Sequence, residues 1–537
     1  MNGEQQSGRP TVRGMAVLFA VLLAPLPGLA DDCGGSANLE GLPIQRIVFV
    51  RRNIFDTEDP DTSTWLFRWT NALHIVSKEP FLRSMLLFEE GDPWSCKLAA
   101  ESARILRALE YINPVYITAR RHGQGVEVTV DTHDQWTMQA GASYDMVGDR
   151  KRWSMEFDER NLLGWGRRLL LRYKKDHERD TWTYAFEDPN LFGSRWKTRL
   201  LFADSSDGRR EEALIARPFY ALETEQAWSG QWKHWQQTDH LYSDGEQVVS
   251  GRRERRLLEL WWGTRLPAKN GQVRRLRLGF HHDENLYDDW RREDDSPFPT
   301  PVSLTISGPR ISFELTKDSF EVLTGFRSWS AQEDIILGPT AAAGLTYSHE
   351  TFGGDITRIV FDAEWSTRRR RNGWLLLGGV WTDGRVDDGR LANLVAGCEL
   401  AAAQLGHRGW QLRFFFEDSH ALDRNRQLTL GADVGLRGWS PDTFDGTGRA
   451  LANLQWRTLV KEEFLHIFSV GLVVFVDAGA TWHPRVGFDT GGIRTDAGVG
   501  LLADLTHVGI ANVIRIDVAF PDDGSGSTIT LTSQALF

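Results

Sequence analysis

Between residues 134 and 537 the chain alternates apolar and polar side chains in one segment after another, with turn residues between them. Trp153, Met155 and Phe157 alternate with Ser154, Glu156 and Asp158, and Trp182, Tyr184 and Phe186 with Thr183, Ala185 and Glu187. Leu276, Leu278 and Phe280 alternate with Arg275, Arg277 and Gly279. Trp410, Leu412, Phe414 and Phe416 are interleaved with Gln411, Arg413 and Phe415, and Ile514, Ile516, Val518 and Phe520 with Arg515, Asp517 and Ala519. A period of two belongs to a β-strand whose faces meet different surroundings. Soluble sandwich strands show it as well, and segments of roughly ten residues also match the ~9–11 that a strand needs to cross a bilayer, so the period leaves both readings open. In a barrel the apolar and polar rows face lipid and lumen. No stretch reaches ~18 consecutive apolar residues, which excludes a transmembrane helix. The 22 Trp, 28 Phe and 51 Gly beside only 19 Pro suit many aromatic strands joined by tight turns. The export signal, the terminal Phe537 and the motifs described below decide for a transmembrane antiparallel β-barrel as the expected fold class.

Ahead of the barrel, Arg9 and Arg13 precede an apolar run over 15–24, and Pro25 to Ala30 ends in small residues. That order predicts a signal peptide over 1–30. Residues 43–133 predict a small α/β domain. IQRIVFVR is a strand, and helices follow at Trp65 to His74 and Phe81 to Phe88. Asp92 or Ser95 can cap a third, in which Leu98, Ile105, Leu106, Leu109 and Ile112 recur at helical spacing. A hairpin over 115–130 completes the domain. Three cysteines are too few for a disulfide scaffold. A bond between Cys33 and Cys96 is left open, and Cys398 lies on an apolar strand face.

Two short stretches organise the rest. Gly435-Leu436-Arg437-Gly438-Trp439 lies among turn residues, with Gly431 and Asp433 before it and Ser440, Pro441 and Asp442 after. Phe475-Val476-Asp477-Ala478-Gly479 lies in an alternating strand. If Val470, Leu472, Val474 and Val476 meet lipid, Asp477 points into the lumen. A carboxylate there needs solvent or a cation, and a guanidinium can pair with it in bidentate fashion. In this order the two stretches resemble the arginine-glycine-aromatic motif of an inward-folded extracellular loop and the F-x-D-x-G strand motif. Both belong to the BamA/TamA and two-partner-secretion superfamily of outer-membrane assembly and secretion barrels. The resemblance implies a lock between loop and lumen made by Arg437, Gly438, Trp439, Phe475, Asp477 and Gly479. It also implies that 43–133 is a single periplasmic POTRA domain, with LLFEEGDPWS as its characteristic turn and NIFD…WLFRWTNALHI as an insertion.

The family implies sixteen staves. Eighteen to twenty alternating segments can be marked, and the surplus between Glu211 and Glu350 is read as hairpins standing above the membrane. Residues 159–166 and 187–193 resemble the family's periplasmic turns. Over 528–537, Ile529, Leu531, Ser533, Ala535 and Phe537 share one face, resembling a C-terminal insertion signal that ends on Phe537.

Catalysis finds no support: there is no G-x-S-x-G elbow, H-E-x-x-H or Walker loop. His281 and His282 beside Asp283 and Glu284 read as a strand-end cluster rather than a metal site. The acidic run over 288–295 reads as a solvated extracellular loop, with calcium or bridged lipopolysaccharide the weaker alternative. No cofactor or metal is expected. A formal charge of −11 argues against nucleic acid. Only about a dozen residues separate Ala30 from the first domain strand, too few for the hydrolase that some relatives carry there. The expected function is non-enzymatic: insertion of outer-membrane proteins, or translocation of a client polypeptide. The expected partners are an unfolded client held on the POTRA edge strand, and outer-membrane lipid and lipopolysaccharide. A passive or gated pore, or a structural surface antigen, is the alternative.

Overall fold

The computed structural model describes residues 37–147, 150–483, 492–507 and 513–532. The expected signal peptide, Cys33 and Phe537 lie outside these residues. The first described unit is a three-stranded sheet in the order β1 (Ile44–Arg52), β3 (Gly125–Asp134), β2 (Ile112–His122), with β1 parallel and β2 antiparallel to β3. Helices α1 (Trp65–Leu73), α2 (Glu79–Met85) and α3 (Cys96–Arg107) lie between β1 and β2. Leu82, Trp94, Leu106, Val126, Val128 and Val130 fill the core between sheet and helices. The third helix is shorter than its apolar spacing suggested. It ends before Leu109 because Glu110 takes a left-handed backbone, which turns the chain so that Ile112 enters β2. Ser95 is its N-cap residue but makes no side-chain cap, while Asp92 accepts from the Glu89 amide. Cys96 is disulfide-bonded, and Cys398 is free and buried.

From Met138 onward, twenty strands follow one another round a ring in chain order, each antiparallel to its neighbours. Among the described residues, the first stave (Met138–Val147) and the last (Thr528–Thr532) meet through one pair, Val147 with Thr530. The outer wall carries the predicted apolar rows: Met155, Trp182, Tyr184, Leu278, Trp410, Leu412, Phe414, Ile514, Ile516 and Phe520 are all exposed. Their alternates, such as Gln411, Phe415, Arg515, Asp517 and Ala519, are buried on the inside. A wall that is apolar outside and polar inside is that of a membrane-spanning barrel.

Among the described residues the ring has twenty staves, not sixteen. The segments read as hairpins above the membrane are staves themselves, among them Gln226–Ser243, Glu246–Leu266 and Gln272–Arg292. Each is long enough to cross the bilayer and continue beyond it, so its polar upper half masked its crossing half. Trp228, Trp232, Leu260 and Leu278 show where those strands meet lipid.

Among the described residues, two connections form small hairpins off the wall. Residues 421–447, at the end remote from the α/β domain, form a short hairpin of Leu428–Leu430 with Phe444–Gly446. Residues 318–337, at the domain end, form another from Phe320–Leu323 and Glu333–Ile336.

Candidate functional site

The strand Phe468–Trp482 supplies one lumen row, and its alternation is clean. Leu472, Val474 and Val476 are exposed to the outside, while Val473, Phe475 and Asp477 are buried. The loop 421–447 reaches this row from above. Leu430 and Leu436, both fully buried, pack with Leu451 and Phe415 and fix the loop against the wall. Gly435 has φ +121°, a conformation unfavourable to any side chain, and it turns the backbone so that Arg437 faces the strand. Gly438 is needed for a different reason: a Cβ there would stand 2.5 Å from Cβ of Asp496.

Arg437 then meets Asp477 in a fork. Nε donates to Oδ2 and Nη2 to Oδ1, each at 2.7 Å. Arg437 is 4% exposed and Asp477 0%. The guanidinium lies over the Phe475 ring at 3.6 Å and its Nη1 donates to Gln455 at 3.0 Å. Stacking and bidentate pairing together use the planar geometry that lysine lacks. The remaining acceptor capacity of Asp477 is met by Asn453 Nδ2 at 2.7 Å, which also donates to the Gly435 carbonyl. The Gly438 amide donates to Asp496 at 2.9 Å, and its carbonyl accepts from the Thr528 hydroxyl of the last strand at 2.7 Å.

The structure thus brings Arg437, Gly438, Phe475 and Asp477 into one site. Gly479 lies on the same row, facing Leu430, where a Cβ would stand 2.7 Å from Leu430 Cδ2. Trp439 stands to one side, packing edge-on to Phe444 at 5.0 Å with Arg494 at 5.9 Å. Asn453, Gln455, Asp496, Arg515 and Asp517 complete the site and were not singled out for it. Arg515 Nε donates to Asp517 at 2.6 Å and Nη2 to Gln455 at 3.1 Å. Their signal was present, since Arg515 and Asp517 are polar alternates of a lipid-facing row, but only the ring brings four strands to one loop.

Below the lock, residues 318–337 occupy the domain-end mouth. Trp329 shares a buried cluster with Val473, Phe475 and Leu502. Its amide and the Ser328 hydroxyl donate to Asp504 at 2.6 and 2.9 Å, and Arg457 Nη2 donates to the Gly325 carbonyl at 2.8 Å. On its other side this hairpin grips the α/β domain. Arg107 of α3 forks onto Asp334 at 2.6 and 2.7 Å, and Asn113 of β2 donates to the Gln332 carbonyl at 2.9 Å. The expected surplus between 211 and 350 thus includes one hairpin off the wall, but it lies at the domain end and not above the membrane.

The α/β domain also meets other turns of the rim. Asn161-Leu162-Leu163-Gly164 and Asn190-Leu191-Phe192-Gly193 are built alike. Each asparagine accepts a later turn amide, and Leu163 and Phe192 take left-handed backbones at φ +56° and +54°. Asn161 donates to Ser77 Oγ at 3.0 Å, and Arg195 to the Met85 carbonyl at 3.2 Å. Glu101 accepts from the Leu222 amide at 2.9 Å, and Lys97 pairs with Glu223 and Asp318 at 2.9 Å each. His507 packs against Phe55 with ring centroids 4.8 Å apart, and His466 against Phe67 at 6.4 Å. Burial, reinforced by His133 and His466, pushes the His507 imidazole down to about 4.

Fold and site together define an outer-membrane-type β-barrel in which a far-end loop is held inside the lumen by a buried ion pair. No protein-family model matches the chain, and no curated protein matches it. Among solved structures it is similar to BamA from Haemophilus ducreyi lacking POTRA domains 1–3, at 12% identity over 91% of this chain and 84% of that one, with a TM-score of 0.36. It is also similar to CdiB from Escherichia coli, at 11% identity over 92% of this chain and 76% of that one, TM-score 0.43. For CdiB from Acinetobacter baumannii the figures are 9%, 91% and 73%, with a TM-score of 0.42. At such identities the likeness is one of fold alone, and the class rests on this chain's own ring and docked loop.

Proposed function

We propose that this protein works in the outer membrane as a non-enzymatic assembly or translocation factor of the BamA/TamA and two-partner-secretion kind. Residues 43–133 act as its periplasmic POTRA domain. The observation that carries this reading is the Arg437–Asp477 fork, a loop from the far end drawn in and ion-paired on the lumen wall. A second feature supports it. The β1 edge is partly occupied, since Glu90 accepts from the Ile47 amide and the Ile44 carbonyl accepts from Gly91. The β2 edge is held by the 318–337 hairpin near Asn113 and Tyr116, while Thr118, Arg120 and His122 beyond are exposed. A client strand added along that edge would gain main-chain hydrogen bonds whatever its sequence.

Hairpins occupying the lumen from both ends count against a passive open pore. The test is reconstitution in liposomes with a urea-unfolded outer-membrane barrel as client. Faster appearance of the folded, heat-modifiable client is expected, and slower appearance with Arg437→Ala. A steady ion conductance with no effect on client folding would overturn the proposal in favour of a pore.

A further inference from the structure

Helix α1 is amphipathic in the wrong sense for a helix beside water. Its inner face is Phe67, Asn71 and His74: Phe67 packs on Phe55 at 4.5 Å, Asn71 bonds the Phe55 backbone at 2.8 and 3.1 Å, and His74 meets Asp134 at 3.2 Å. Its outer face is Trp65, Arg68, Trp69, Ala72 and Leu73, spaced at i, i+3, i+4, i+7 and i+8, and it carries no carboxylate. Trp65 is 77% exposed and Trp69 58%, and Leu73 and the following Ile75 are about half exposed. A solvated face at these positions should be polar.

The position of the helix says what covers that face. Phe67 reaches the turn carrying His466, Phe55 reaches His507, and Lys78 beyond the helix donates its amide to the Gly164 carbonyl at 2.9 Å. Those three turns flank the place where the last stave meets the first. Each end of the helix continues into the barrel's lipid-facing wall. At one end Leu163 and Trp165 are exposed, with Lys78 Nζ 4.9 Å from the Trp165 ring. At the other, Val460 extends the outward row of Leu454 and Trp456, and Phe464 and Leu465 follow, both exposed. Tryptophan with a nearby cation is the side-chain chemistry of the headgroup boundary, and Arg68 can extend its guanidinium to phosphate while its stem stays apolar.

We propose that α1 lies in the membrane, in the headgroup–acyl boundary of the leaflet at the domain end, beneath the meeting of first and last staves. Trp65, Trp69 and Leu73 enter the lipid. The helix thereby ties the α/β domain to the bilayer as well as to the barrel. This holds whatever the barrel transports or assembles.

Spin labelling of the full chain in phospholipid vesicles tests it. Trp65→Cys and Trp69→Cys are made separately in a Cys398→Ala background, which supplies the unlabelled baseline. Thr118→Cys on the domain serves as a water-exposed reference and Ile311→Cys on the barrel wall as a lipid reference. Collision with oxygen should exceed collision with a water-soluble nickel chelate several-fold at 65 and 69, as at 311, and the order should reverse at 118. Nickel-dominated collisions at 65 and 69 would overturn the proposal by placing the helix in water. Shielding from both reagents would overturn it too, by showing a protein partner or a second copy on that face. The two labelled sites are independent, so a folding failure at one leaves the other to decide.

Discussion

Arg437→Ala removes a side chain bonded through all three of its guanidinium nitrogens. The substitution deletes the fork on Asp477, the bond to Gln455 and the stack on Phe475 together. Asp477, fully buried, keeps Asn453 Nδ2 as its side-chain donor but loses its cation. Breaking a buried pair by removing one partner costs ~3–5 kcal/mol, and every 1.4 kcal/mol is about tenfold. The ratio of docked to undocked loop should therefore fall by roughly two to three and a half orders of magnitude. The inter-strand hydrogen bonds do not involve Arg437, so the barrel should still insert and keep its heat-modifiable band. Planar-bilayer conductance and client-folding rates read the loss, the first rising and the second falling. Asp477→Ala should behave alike, and the double variant should be no worse than either single one, because neighbours acting as a unit are not additive. Strictly additive defects would refute the idea that loop and strand form one device.

Acidification should loosen the domain-to-rim contact. His507 is held near 4 when packed and returns to about 6.5 when released. The packed state prefers the neutral ring, so its contribution is present above about 6.5 and is lost as pH falls toward 4, by at most about 3 kcal/mol. Proteolysis within α1 should rise from pH 7 to 5, and His507→Gln should flatten that dependence. Gly471→Val should expel the 318–337 hairpin, since a Cβ at 471 would collide with the Trp329 ring. Raised conductance with an unchanged heat-modifiable band would show it. Arg107→Ala should release the same hairpin from the domain side at a cost of about 3 kcal/mol, seen as new protease cleavage over 318–337. A thiol-reactive reagent that cannot enter cells should label a cysteine at Asp289 in intact cells and leave one at Gln124 unlabelled. The reverse would invert the topology.

The lipid-facing rows were legible because a two-residue period survives any curvature of the wall. Leu472, Val474 and Val476 stand outside and Asp477 inside as alternation requires. The Arg437–Asp477 meeting was legible because a carboxylate on a lumen row needs a cation and because both residues stand in motifs that resemble the family's. Stave number was not, because in Glu246–Leu266 the upper half carries Arg252, Arg253, Glu254, Arg255 and Arg256, which cancels the apolar signal of Leu258, Leu260 and Trp262. The 318–337 hairpin was illegible for the opposite reason. Its strands are four residues long, too short to show a period, and Trp329 finds its cavity only when Gly471 and Leu502 arrive from distant strands.

The α/β domain bonds to turns at residues 161–166, 190–195, 218–225, 318–337 and 465–467 and at 507, spread around the rim. It is therefore a floor beneath the barrel and not an arm hanging from it. The domain-end mouth is thus faced by the α/β domain and by the 318–337 hairpin that it grips. The bore of a twenty-strand ring then says little about throughput. If the barrel works on a client as proposed, a chain approaching from this side meets the α/β domain before it meets the lumen.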